Sequence, residues 1–102
     1  RSWKEYWLVL NRAAQHLKVY PVKSAMRYVD LMALRALGPP LKIFKVVDCS
    51  IREGSGITGK AGTVSICEKG DHARFFVCPT PLSARLWIDE LLKYSMIIAV
   101  DV

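Results

Sequence analysis

Apolar and polar positions alternate from Trp3 to Leu10, with Tyr6, Leu8 and Leu10 on one side and Trp7 and Val9 on the other. A period of two predicts a strand. His16 to Val22 alternates again, Leu17 and Val19 opposite Lys18 and Tyr20, so the polar break beginning at Asn11 predicts a hairpin. Pro21 falls near the end of its strand, where a missing amide donor is tolerated. The period then changes. Met26, Val29, Met32, Ala33 and Leu37 recur at helical spacing behind Ser24, a capping residue, and Gly38-Pro39-Pro40 stops the run. These signals predict an inserted helix near residues 24–37. Leu41 to Val47 and Cys49 to Arg52 read as strands, Glu53-Gly-Ser-Gly as a turn, and the stretch through Gly62 as a glycine-rich loop. Thr63 to Glu68 and Ala73 to Cys78 read as strands around the tight turn Lys69-Gly-Asp. Thr80-Pro81 supplies an N-cap hydroxyl and a first-turn proline. The stripe Trp87, Ile88, Leu91, Tyr94, Ser95 and Ile98 predicts a closing amphipathic helix.

At 102 residues, 52% hydrophobic and 24% charged, the chain has the size and composition of one folded domain. Its longest apolar run, Met96 to Val100, is far too short to span a membrane as a helix. The sequence opens without a signal-like apolar core or an initiator methionine, and is expected to be a fragment of a longer intracellular protein. The three cysteines, Cys49, Cys67 and Cys78, form no CxxC and are expected to be buried, reduced thiols. Neither His16 nor His72 stands at a metal-ligand spacing from them, so no metal or other cofactor is expected. Charge changes the picture more. Up to Lys45 there are nine Lys/Arg against Glu5 and Asp30, net +7; from Val46 onward six face seven acids, net −1. So lopsided a distribution points to an acidic partner.

One helix after a run of antiparallel strands, with a tryptophan in its second turn, resembles the pleckstrin-homology (PH) family. Trp3-Lys-Glu-Tyr-Trp-Leu-Val-Leu is similar to that family's second strand, W-K-x-R-[WY]-F-x-L, and Leu17-Lys-Val-Tyr to its third. Val47-Asp-Cys-Ser-Ile-Arg-Glu resembles the fourth-to-fifth-strand segment. Phe76-Val-Cys-Pro-Thr-Pro with Ala-Arg-Leu-Trp-Ile resembles the last strand and the helix carrying the signature tryptophan, here Trp87. The four segments cover almost the whole chain in order. The resemblance implies a mainly β fold with α: a partly open antiparallel β-barrel or sandwich capped by a C-terminal helix. Two departures stand out. The family's first strand, K-x-G-x-L-x-K, is missing and is expected upstream of Arg1. The inserted helix replaces what in many members is a loop.

The resemblance also implies a function: binding anionic phospholipid headgroups, phosphoinositide or phosphatidic acid, at the cytoplasmic face of a membrane. Lys4 matches a basic position of the family's headgroup pattern, whereas Tyr6 stands where its arginine would be. A tyrosine donates one hydrogen bond but neutralises no charge, so tight stereospecific recognition is not expected. Arg1, Lys4, Lys18, Lys23 and Lys42 are the candidate headgroup residues, each contributing roughly 1 kcal/mol near an anionic surface. Trp3 is a candidate for the lipid interface, where amphipathic aromatics are favoured, or for sheet packing. Met26, Val29 and Met32 are candidates for membrane or partner contact, or for packing on their own domain.

No GxSxG, HExxH or P-loop is present, and Asp89 and Glu90, adjacent on a helix, point in different directions, so no enzyme is expected. Gly54-Ser-Gly-Ile-Thr-Gly-Lys lacks the P-loop spacing. The rival reading is a protein-interaction module that pairs a peptide with a strand edge or a groove beside the last helix. Nucleic acid is not expected, because the basic residues lack a recognised aromatic stacking platform.

Overall fold

The structure is a computed structural model that describes residues 3–22 and 38–96. The inserted helix expected near 24–37, with Lys23, Met26, Val29 and Met32, lies outside the described residues, as do Arg1 and Ile98. The chain divides into two compact units, Arg1–Phe44 and Lys45–Val102.

Among the described residues the architecture is mainly β: two three-stranded antiparallel sheets and a C-terminal helix. The first sheet has strands β1 (Tyr6–Asn11), β2 (His16–Pro21) and β3 (Lys42–Lys45), in that order. The β1–β2 hairpin pairs Leu8 with Val19 and Leu10 with Leu17 on one face, and Trp7 with Tyr20 and Val9 with Lys18 on the other. Its turn places Gln15 at φ 57°. The strand starts at Tyr6 rather than at Trp3, although the Glu5 carbonyl still accepts the Val22 N–H at 3.4 Å. Among the described residues of this unit, Leu17, Val19, Tyr20 and Phe44 are the buried apolar ones.

In the second unit a 3-10 turn, Val46–Asp48, cuts short the strand expected to reach Val47. It buries Val46 while the Asp48 carbonyl accepts the Lys69 N–H at 2.8 Å. The second sheet then runs β4 (Cys49–Glu53), β5 (Thr63–Glu68), β6 (Arg74–Val77), with β5 in the centre. The expected turn after Glu53 contains one helical turn, α1 (Ser55–Thr58). Two features close it: the Glu53 carboxylate accepts the Ser55 N–H at 2.7 Å, and Gly59 ends it at φ 73°, a left-handed conformation open to glycine.

Helix α2 (Pro81–Leu92) begins as its first residues predict. The Thr80 hydroxyl accepts the Ser83 N–H at 3.0 Å, and the Ser83 hydroxyl oxygen accepts the Thr80 N–H at 3.2 Å. Ala84, Ile88 and Leu91 are its buried face, set against β4 and β5. They pack with Cys49, Ile51, Val64 and Ile66 into the core of this unit. Trp87 is half-buried beside that core rather than within it. After the helix, the Met96 N–H returns to the Val47 carbonyl at 3.2 Å, and the Ser95 hydroxyl donates to the Cys49 carbonyl. All three cysteines are free thiols. Cys49 is buried as expected, but Cys67 and Cys78 are only half-buried because they lie at strand ends.

Candidate functional site: a lysine pair on the first sheet

Lys18 is at the middle of β2, the central strand of its sheet, on the face it shares with Trp7, Val9 and Tyr20. Alternation puts it there: Leu17 and Val19 turn to the opposite face and are buried, leaving Lys18 half-buried. On one flank its cross-strand partner is Val9. On the other flank the Leu41 N–H donates to the Val19 carbonyl at 2.8 Å. Lys18 and Lys42 are therefore on adjacent strands, β2 and β3.

Lys42 is also half-buried, and its ammonium lies 5.2 Å from the centroid of the Phe44 ring. The electron-rich ring face attracts the cation and holds it near the start of β3. Phe44 was not singled out in the sequence. Its spacing of two from Lys42 on a strand is the signal that would have found it. Lys18 makes no ion pair among the described residues. The one acid of its unit that is described, Glu5, is near the other end of the hairpin: its carbonyl meets Val22, four residues of strand, about 13 Å, from the Val9 rung. A half-buried cation without a carboxylate partner among the described residues suits a group carrying negative charge.

The other candidates fall elsewhere. Lys4 is exposed before β1, five residues, about 17 Å along an extended chain, from the rung that holds Lys18. Lys4 and Lys18 are thus not brought onto one small group. Tyr6 is exposed and pairs with Pro21. Trp3 is exposed before the strand, so sheet packing does not cover it. The indole N–H of Trp7, on the Lys18 face, is buried with no acceptor among the described residues.

Among its described residues the second unit gathers no comparable site. Its hydroxyls serve its own turns: Thr63 donates to the Lys60 carbonyl at 2.7 Å. Burial raises the Cys78 thiol above its usual pKa, with a smaller opposing effect of its hydrogen bond with Ser83, so this cysteine is not an activated nucleophile. Among the described residues no group of His, Cys, Asp and Glu could hold a metal, and no helix is long and apolar enough to cross a membrane. Comparison with known proteins gives no match to any family, curated protein or solved structure.

Proposed function

We propose that the chain is a PH-like module that binds anionic phospholipid headgroups and thereby recruits the protein carrying it to a membrane surface. The observation that carries this reading is Lys18, a half-buried cation in the central strand β2 with no carboxylate partner among the described residues. Three further points support it. The first unit holds eight Lys/Arg against two acids, net +6, whereas the second holds seven against seven, net zero. The order of two three-stranded sheets followed by a helix agrees with the strand assignments that the resemblance implies. Exposed Trp3 is an aromatic suited to the lipid interface.

The test is co-sedimentation of the full chain with neutral and anionic vesicles at low and physiological salt. Binding to anionic vesicles alone, weakening as salt screens the surface, is the expected result. Equal binding to neutral vesicles, or none to either, would remove the membrane reading. The protein-interaction reading has its own observation: Leu82 and Leu86, one helical turn apart, remain 68% and 60% exposed on the outer side of α2. It gains if vesicles are ignored and a peptide partner broadens the backbone resonances of α2.

A further inference from the structure

We infer that the outer edge of β6 pairs with β6 of a second copy of this chain, antiparallel about a two-fold axis at Phe76. Strand β6 is at the edge of its sheet, with β5 on one side. The Cys78 N–H donates to the Gly62 carbonyl at 2.9 Å, and the next rung pairs Thr63 with Val77. Antiparallel rungs alternate between bonded and non-bonded pairs. Arg74 and Phe76 therefore direct their N–H and C=O groups to β5, while those of Phe75 and Val77 point away from it. Among the described residues no backbone group meets Phe75 or Val77 from the outer side. A row of outward N–H and C=O groups is a template for one more strand.

This edge is complementary to itself. With Phe76 opposite Phe76 of the second copy, Phe75 faces its Val77 and Val77 faces its Phe75. Both rungs join outward-turned residues, so each N–H and C=O of Phe75 and Val77 finds a partner. Val77, 38% exposed in one chain, gains an aromatic neighbour across the strands. The two Arg74 side chains fall four rungs apart, about 13 Å, beyond the screening length of about 8 Å at physiological salt. Sliding the register so that Phe75 faces position 79 brings in Pro79, which has no N–H to donate. Charge selects the same edge. Strand β6 belongs to the unit of net charge zero, whereas the edge strand β1 belongs to the unit of net +6, where two copies would repel. Pairing β6 with β1 of the next copy is head-to-tail and lacks the closure of a two-fold pair. The remaining edge of the second sheet is β4, and its Cys49 carbonyl already accepts the Ser95 hydroxyl. The inference is independent of the membrane reading, and the dimer it describes carries two of the basic units.

The experiment is sedimentation equilibrium of the full chain, with amide hydrogen exchange followed by NMR over the same concentrations. Four residues per copy make a small interface, so a monomer–dimer equilibrium with a Kd of roughly 10 μM to 1 mM is expected. The Phe75 and Val77 amides should exchange about fivefold more slowly near the top of that range than in dilute solution. The Phe76 amide, bonded to β5, should be slow throughout. Val77→Pro removes an outward donor and leaves the ladder to β5 intact, and Val77→Lys puts a charge against the second copy's Phe75. Each should weaken dimerisation at least about tenfold with circular dichroism unchanged. Leu82→Ser, on the exposed side of α2, should change it less than about twofold. A chain that stays monomeric to about 1 mM overturns the inference. Dimerisation that survives in both V77P and V77K, or is lost in L82S, overturns the edge as the interface. Assemblies that grow past the dimer overturn the two-fold pairing.

Discussion

The two units of this chain treat charge in opposite ways. In the second, cations meet carboxylates close by: Arg74 with Asp71 at 3.6 Å, Arg85 with Asp89 at 3.3 Å, Lys93 with Glu90 at 2.7 Å. Its net charge is zero and its core is continuous from β4 through β5 to α2. In the first, Lys18 has no ion pair among the described residues, the net charge is +6, and the Trp7 indole N–H has no described acceptor. Exposed ion pairs of the kind found in the second unit contribute little to stability, typically 0–1 kcal/mol. What they do is bring opposite charges together on that surface.

The comparison breaks most visibly if the second unit is not a packed body. Leu91, 1% exposed on the inner side of α2, should cost about 2–5 kcal/mol when cut to alanine, from lost burial and the cavity left behind. Leu82→Ala, on the exposed side, should stay within about 0.5 kcal/mol. Urea unfolding of both variants measures the difference. Similar losses would mean that the outer side of α2 is covered as well, and that its leucines are not available to a partner.

Much of this architecture is written locally. The alternation around Leu17 and Val19 specifies β2, and the four-residue turn from Arg12 to Gln15 sets its register on β1. Thr80-Pro81 marks the start of α2 because capping depends only on residues within one turn. The same hairpin register separates Lys4 from Lys18, so their distance was available from the loop length once the pairing was followed residue by residue. The place of β3 beside β2 was not. Twenty residues of chain, 22–41, lie between the two strands, and no local pattern specifies which strands become neighbours. Nor does periodicity predict α1, whose single turn exists through the Glu53 carboxylate and Gly59.

A smaller effect comes from the cap. Thr80→Ala should cost about 1 kcal/mol, because the Ser83 N–H loses its acceptor, while Thr80→Ser should keep most of it. Thermal unfolding followed by circular dichroism distinguishes the two. Equal losses would assign the effect to the threonine methyl group and remove the cap from the account of the second unit.

Charge removal should then change sign between the units. Lys18→Met removes a half-buried cation from a unit of net charge +6 and should raise stability by a few tenths of a kcal/mol. Lys93→Met removes an exposed pair with Glu90 and should lower it by about 0.3–0.5 kcal/mol. Both differences should shrink with added salt. Denaturant titrations at low and high ionic strength check this directly. A loss at Lys18 equal to that at Lys93 would mean that Lys18 is already compensated, and the contrast between the units would fail.

The smallest effect concerns Glu53, whose carboxyl pKa is held below its usual value of 4.5, first by the Ser55 hydroxyl and then by the Ser55 backbone N–H. A depressed folded-state pKa means that the ionised form is the one stabilised by folding. The contribution is therefore fully present above the unfolded value, near pH 4.5, and is lost as pH falls through the lower folded value. Glu53→Gln should be less stable than the parent at neutral pH, by less than the Thr80 effect because the carboxylate is exposed, and the difference should close in acid. Lys18→Met should show no such closure across the same range, since no carboxylate pairs with Lys18 among the described residues. Stability of both variants and the parent between pH 3 and pH 7 (roughly the range in which surface carboxylates titrate) separates the cases. A Lys18→Met difference that follows the Glu53→Gln curve would place an acid against Lys18 and undo the site.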